Sequence, residues 1–418
     1  MNITIEKLVP GGQGIGVDEN GKKGFFWNAL PGEIVTKYRI TKNKSHYFEA
    51  IAEEIENLSP HRVTPKDACY LSTSPWQIMD YDFELTQKAE LLKEQFNQFG
   101  ISLEQCFVGS STTTGVEDRE LARNDGPSDR CPQGTVQTDL KIYHYRNKME
   151  YSLYWDNEKQ KIFLAFHERG SHRKIPITSS SIERPEIYEK AQAIIDNLNA
   201  NHEEARKYQS LLLRCNQKGE VSGGLYENKK PHEVFPNLTD DILGYAYSYS
   251  PNGFFQINLP VYEMALLEIK KHIKTKKVLD LYAGVGTIGL SVARGHELTL
   301  VECNKFAYTE LEKNCAKQAT AHAILSNSED TLEFVAPDQT VIVDPPRAGC
   351  DKKLLDKFIN IQPETIIYLS CNPATQARDV KILLDSGKYQ ISSVVPFNFF
   401  PRTPHLENLV VLHAIIRE

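Results

Sequence analysis

Cys371 stands between Ser370 and the Asn372-Pro373 pair in the stretch YLSCNPATQ, directly after the apolar run Thr365-Ile366-Ile367-Tyr368-Leu369. An apolar run of that length reads as a buried strand. Asn-Pro cannot extend it, because proline fixes its own φ and lacks an N–H. The thiol therefore sits at the carboxyl end of a strand, where open α/β sheets bind their ligands. Two readings stand at this point: a small buried hydrophobe, as free cysteines often are, or a thiol facing a reactive crevice. Two other stretches bear on the choice. VLDLYAGVGTIGLSVA places Gly284, Gly286 and Gly289 in G-x-G-x-x-G spacing after a strand, and Glu302 ends the next one. VIVDPPR ends a third strand on Asp344 before a rigid Pro-Pro turn, which aims its carboxylate at the same crevice; capping the following helix is the alternative role.

The glycine spacing alone also suits a dinucleotide. Two features favour S-adenosylmethionine over a nicotinamide cofactor. Asp280 lies inside the approach LDLYAG, where a pyrophosphate-binding loop gains nothing from a carboxylate, whereas a cofactor carrying a sulfonium and an amino group does. Asp344 adds a second acid, fixed by its turn.

The elements that must position these residues follow an α/β rhythm from about residue 264. A helix near 261–274 leads into the strand KVLDLYA, the helix TIGLSVARG, the strand ELTLVEC and the helix KFAYTELEKNCAKQ. The strand TVIVDPP, the helix DKKLLDKFIN, the strand TIIYLSC, the helix PATQARDVKILLDSG and closing strands complete the series. Apolar strands alternating with helices predict a doubly wound, Rossmann-like parallel sheet. Residues 1–60, with Gly-Gly, Asn-Gly and Pro-Gly turns between short strands, predict a small β-barrel. There Phe25, Phe26 and Trp27 precede Lys37, Arg39, Lys42 and Lys44, which fits either a nucleic-acid surface or a core beside a solvated edge. Residues 61–249 read as a central α+β region, with an amphipathic helix in WQIMDYDFELTQKAELLKEQFNQFG and a polar insertion near 110–138. Its most basic segment holds Arg146, Lys148, His167, Arg169, His172, Arg173 and Lys174, a second candidate for phosphate contact. Residues 250–418 form the catalytic candidate.

Composition excludes several classes. A hydrophobic content of 40% and charged content of 25% describe an ordinary soluble protein. No apolar run reaches transmembrane length, and MNITIEKLVPGG lacks the basic-then-apolar order of a signal peptide, so a cytoplasmic protein without a membrane partner is expected. The eight cysteines are scattered with no CxxC pair, which suggests neither a disulfide framework nor a zinc site. A net charge of -7 argues against a partner held by bulk electrostatics.

The chain resembles the S-adenosylmethionine-dependent RNA uridine-5 methyltransferases, the enzymes that form 5-methyluridine in rRNA and tRNA. The resemblance rests on SPNGFFQIN (250–258), VLDLYAGVGTIGLSVA, VEC, SNSED (326–330), VIVDPPRAG, LSCNPAT and PRTPHLENLVVL (401–412), in that order. The N-terminal barrel is similar to the TRAM module of rRNA-directed members, and HYRNKMEY to the family's central segment. The resemblance implies Cys371 as nucleophile at carbon 6 of uracil and Glu407 as the base that removes the hydrogen on carbon 5. It implies cofactor contacts from Gln256, Tyr282, Thr287, Glu302, Asn327 and Asp344, with Arg347 and Arg146 as substrate contacts. A structured RNA, rRNA ahead of tRNA, is the implied partner.

Two departures stand out. Relatives often carry asparagine at the position of Thr287. Many TRAM-bearing relatives hold an iron–sulfur cluster on four cysteines, but DACYLSTSPWQ offers only Cys69 and PITSSSIER none, so no cluster is expected and polar residues take over its structural role. Competing readings are an amino-group methyltransferase, which needs no Cys371, an RNA cytosine-5 methyltransferase, an RNA-binding or chaperone protein with a silent site, and a nicotinamide-dependent reductase.

Overall fold

A computed structural model describes residues 2–103, 136–139, 141–201 and 207–415. Of the expected insertion at 110–138, residues 110–135 lie outside this description. The chain divides into two compact units: Met1–Leu91, Lys141–Pro236 and Phe400–His405 in one, Leu92–Leu140, Asn237–Phe399 and Leu406–Glu418 in the other.

The first unit opens with six strands, Ile3–Thr4, Lys7–Leu8, Gly14–Val17, Lys23–Trp27, Ile34–Asn43 and Tyr47–Glu56. Ile3–Thr4 pairs with one edge strand (Ile3↔Val35) and Lys7–Leu8 with the other (Lys7↔Ile15). Both edges thus meet on one extended segment, so the sheet closes into a small barrel, which leaves no exposed edge. Its centre is Ile3, Ile5, Phe26, Val35, Phe48 and Ala50. Gly24 is required there: a Cβ would lie 2.5 Å from the rings of both Phe26 and Phe48. A second sheet runs antiparallel in the order Lys230–Pro231, Val221–Glu227, Ser210–Cys215, Lys148–Asp156, Lys161–His167 and Lys174–Pro176. Helix Pro185–Ala200 turns Ile187, Ala191, Ile195 and Leu198 inward at helical spacing and covers this sheet.

Residues 400–405 are held inside the first unit by buried charges. Glu84 and Lys88, both fully buried, pair at 2.9 Å on helix Tyr81–Asn97. Glu84 accepts the backbone N–H of Arg402 through both oxygens at 3.0 Å, and Lys88 Nζ donates to the Phe400 carbonyl at 3.1 Å.

The second unit is built on seven strands, numbered here within their sheet: β1 Lys277–Leu281, β2 Glu297–Glu302, β3 Ala321–Leu325, β4 Gln339–Val343, β5 Thr365–Ser370, β6 Tyr389–Phe397 and β7 Glu407–Ala414. Their order is β3-β2-β1-β4-β5-β7-β6. The first five are parallel, and β7 lies antiparallel between β5 and β6. Helix α1 Leu259–Lys271 leads into the sheet, and helices α2 Thr287–Val292, α3 Lys305–Cys315, α4 Lys352–Ile361 and α5 Pro373–Asp385 lie in the connections between its strands. Strand β5 is buried at every residue and β4 likewise, as doubly covered strands must be. This is the doubly wound α/β architecture expected. The sequence reading assigns no strand to residues 321–325. Strand β3 is a half-exposed edge strand (AHAIL), too weakly apolar to register as a run.

Candidate active site

The glycine turn follows β1 directly. Tyr282, Gly284 and Gly286 all take positive φ (62°, 59° and 88°), and Gly286 caps α2 in the left-handed conformation. Glu302, at the end of β2, accepts the backbone N–H of Gly284 at 2.8 Å through one oxygen and that of Asn304 at 2.6 Å through the other. Each oxygen keeps a lone pair, so a ribose hydroxyl can still be held. Asn327 follows β3, the neighbouring strand, is exposed and donates to Asp330 at 2.8 Å. Thr287 opens α2 and accepts the Tyr262 hydroxyl at 2.8 Å, so the position that departs from the family's asparagine is fixed from behind. Tyr282 is half-buried and Gln256 buried; Gln256 follows Phe255, whose ring stacks on Tyr249 at 3.8 Å between centroids.

Asp280 is fully buried in β1 and accepts the Gly289 N–H at 2.8 Å through Oδ2, while Oδ1 has no hydrogen-bond partner. Burial pushes its carboxyl up to about 7, with the charges of Asp344 and Glu302 acting the same way. Asp344, half-buried just past β4, is likewise pushed up to about 7 by burial. Glu407, buried at the start of β7, is raised well above the usual carboxylate range by burial and then by Asp344, against the pull of Arg347. Four acids thus converge on the carboxyl edge of the sheet with too few cations for them. Such a cluster fits a cationic ligand, and the unpartnered Asp280 oxygen with the glycine turn fits S-adenosylmethionine, which carries a sulfonium and an ammonium group.

The thiol lies in the same place. The last matched pair of β5 and β7 is Ser370↔Asn408, and Cys371 and Glu407 are the next residue on each strand. Gln376 bolts this junction: its amide donates to the carbonyls of Tyr368 and Asn408, both at 2.9 Å, and accepts the Asn408 amide at 2.7 Å. Cys371 is half-buried, and Arg347 is near enough to act on its thiol. Burial, then Glu407 and Asp344, push its thiol up to about 11, and Arg347 opposes them. The geometry therefore gathers Cys371, Glu407, Asp344 and Arg347, with Glu302 and the glycine turn along the same edge. Arg146 belongs to the first unit, where its Nε donates to the Lys148 carbonyl at 3.0 Å.

Sequence reasoning missed Asn372, Thr375, Gln376 and Asp379, which lie at i, i+3, i+4 and i+7 and all make internal hydrogen bonds. A polar stripe at helical spacing beside a reactive cysteine was the available signal. The basic candidates are mostly paired. Lys37 meets Glu54 at 3.0 Å, Lys42 meets Glu49 at 2.7 Å, and Glu168 takes both Arg39 (3.2 Å) and Arg173 (2.7 Å). Phe26 is core, and the Arg169 guanidinium lies 4.0 Å over the Trp27 ring. At Cys69 the residues do not fit an iron–sulfur cluster: the buried thiol donates to the Ser179 carbonyl at 3.7 Å, and Asp67, Gln77 and Ser181 form a hydrogen-bonded clasp around the two loops. Among the described residues no group of three or more His, Cys, Asp or Glu could hold a metal ion, and no helix is long and apolar enough to cross a membrane.

A sheet in this order, with its glycine turn, its acid at the end of β2 and its acid-rich edge, defines an S-adenosylmethionine-dependent methyltransferase. A solved structure of that fold, the Pyrococcus abyssi tRNA (uracil-54, C5)-methyltransferase in complex with S-adenosyl-L-homocysteine, superposes with a TM-score of 0.71 at 24% identity, covering 99% of this chain and 100% of that one. Residues 331–415 match the family described as tRNA (Uracil-5-)-methyltransferase. Proteins described as uncharacterized RNA methyltransferases align nearly end to end. One from Bacillus cereus is 26% identical (98% of this chain, 96% of the relative), and one from Listeria monocytogenes serovar 1/2a is 28% identical (99% and 97%). The chain is thus similar over nearly its whole length to proteins described as RNA methyltransferases, and over residues 331–415 to the tRNA (Uracil-5-)-methyltransferase family.

Proposed function

We propose that this enzyme methylates carbon 5 of a uridine in ribosomal RNA, in the cytoplasm, through a covalent adduct at Cys371, with Glu407 as the base. The observation that carries the reading is the juxtaposition of Cys371 and Glu407 one residue past the Ser370↔Asn408 pair, on the acid-rich sheet edge.

Gln256, Tyr282, Thr287, Glu302, Asn327 and Asp344 would hold S-adenosylmethionine. When bound, it supplies a methyl group on a sulfonium, an electrophile that carbon 5 of uracil is too weak to attack unaided. Cys371 loses its proton to solvent, helped by the Arg347 guanidinium, and its sulfur bonds to carbon 6. The electron pair of the 5,6 double bond moves to carbon 5, which becomes nucleophilic. Once carbon 5 carries the methyl group, Glu407 takes the remaining hydrogen there as a proton. The double bond re-forms as the carbon–sulfur bond breaks, returning the thiolate. A buried carboxylate with a raised pKa is a stronger base than an exposed one, which suits this step.

Transfer RNA is the second reading, favoured by the description of the matched family and by the Pyrococcus abyssi protein of similar fold. The test is to incubate the protein with S-adenosylmethionine and either large ribosomal RNA or transfer RNA, for wild type and Cys371→Ala, and to analyse the digested nucleosides by mass spectrometry. The reading expects 5-methyluridine in ribosomal RNA and none with Cys371→Ala. Product in transfer RNA alone selects the second reading, and product that survives the alanine change overturns the thiol mechanism.

A further inference from the structure

We propose that Asn372 is a positioning residue, which holds the Arg347 guanidinium against the Cys371 sulfur and so makes the thiolate accessible. This rests on the reading of Cys371 as nucleophile. Arg347 sits on the exposed loop between β4 and α4, and a long side chain on such a loop has many rotamers to lose. The loop is pinned by the residues that follow the thiol. Asn372 Nδ2 donates to the Arg347 carbonyl at 2.8 Å, and the Thr375 hydroxyl donates to the same oxygen at 3.1 Å. About two turns on from Asn372 along α5, Arg378 donates to the Ala348 carbonyl at 3.0 Å and Asp379 accepts the Cys350 N–H at 2.8 Å. Asp379 also takes the Tyr368 hydroxyl at 2.8 Å, which ties the loop to β5 itself. The fit at the loop's far end is close: Gly349 has φ +84°, and a Cβ there would lie 2.5 Å from Asp379 Oδ2.

Asn372 is special among these contacts because it is the residue bonded to Cys371. Its own N–H donates to Ser370 Oγ at 3.1 Å, so its backbone is fixed to the strand end while its amide grips Arg347. One residue therefore ties the strand end that carries the thiol to the backbone of Arg347. Its loss leaves the Thr375 hydroxyl to hold that carbonyl and frees the loop tip.

The experiment measures the rate of Cys371 alkylation by iodoacetamide from pH 6 to 11, resolved at that residue by peptide mass spectrometry. Wild type, Asn372→Ala, Arg347→Ala and the double variant are compared. The expected result is a profile displaced upward by about one pH unit in Asn372→Ala, hence about tenfold slower alkylation at pH 8. Arg347→Ala moves the same way, and the double variant moves no further than Arg347→Ala. Thr375→Val provides the same test at the same carbonyl if Asn372→Ala does not fold. An unmoved profile in the Asn372 variant, or an unmoved profile in Arg347→Ala, overturns the proposal. Wild-type protein is also incubated with RNA containing 5-fluorouridine and S-adenosylmethionine. No denaturant-stable protein–RNA adduct there, alongside displaced profiles, would sink the nucleophile reading while leaving the Asn372–Arg347 contact standing.

Discussion

A thiol held up to about 11 is scarcely ionised near pH 7, so under the proposed mechanism Cys371 rests protonated. Burial is the main cause, the two carboxyls beside the thiol add to it, and a single neutral substitution separates their effects. In Glu407→Gln one repelling charge is gone, so Cys371 should alkylate faster than wild type at pH 8. Turnover should nonetheless fall by roughly 10²–10⁴, the usual contribution of a positioned base. The methylated adduct should accumulate on a denaturing gel, because nothing removes the last hydrogen. Slower alkylation with unchanged turnover would mean that Glu407 neither repels the thiol nor acts as base. Gly289 tests the other end of the site. A Cβ there would stand 2.7 Å from Asp280 Oδ2 and 3.1 Å from Leu300 Cδ2, both in packed, buried positions. Gly289→Ala should cost about 1–3 kcal/mol in urea unfolding through overpacking, and should weaken S-adenosylmethionine binding by displacing Asp280.

At the scale of elements, the parts the sequence made legible are those with strong periods. Strands β4 and β5 are continuous apolar runs closed by Pro-Pro and Asn-Pro, and their ends carry Asp344 and Cys371. Helix α5 was legible as a helix but not as a clamp, because hydrogen-bond partners far apart in sequence decide what a polar stripe does. Asn408, the partner of Gln376, lies 32 residues away. The Glu84–Lys88 pair was illegible for the same reason. An i,i+4 acid–base pair reads as a solvated helix face, whereas both residues are wholly buried against residues 400–405. This element carries a prediction of its own. Lys88→Met leaves the buried Glu84 with the more distant Arg402 guanidinium, 3.8 Å away, as its remaining cation and removes one of the donors to the Phe400 carbonyl, so unfolding free energy should drop by about 3–5 kcal/mol. A change near zero would show that the Arg402 N–H and guanidinium satisfy Glu84 alone.

For the whole molecule, a chain of net charge -7 with an acid-rich site must attract a polyanion and a cationic cofactor to the same enzyme. The barrel lysines and the 167–174 segment are compatible with this, since surface ion pairs of the Lys37–Glu54 kind contribute only about 0–1 kcal/mol and exchange readily for phosphate. The acid cluster makes the stability of the ligand-free protein depend on pH in a defined direction. Asp280, Asp344 and, in the first unit, Glu183 are each pushed up to about 7, from the ordinary values of 3.8, 3.8 and 4.5. Between about pH 4 and pH 7 the folded state therefore holds protons that the unfolded chain has already released. By linkage their contribution is full below the unfolded values and is lost as pH rises through 7. Carboxyls with lowered values, such as Glu168 and Glu268, act in the opposite sense but only at and below about pH 4.5, so they do not cancel this slope. The melting temperature without ligand should accordingly decline from pH 5 to pH 7.5. S-adenosylmethionine and S-adenosyl-L-homocysteine differ by the sulfonium charge, and that charge interacts with Asp280 and Asp344 only once they are ionised. The extra stabilisation by the charged form should then grow across the same interval, at equal ligand concentration, in thermal melts. If the two ligands instead stabilise equally at every pH, the acid cluster is not the sulfonium's partner and the convergence of these carboxylates needs another occupant.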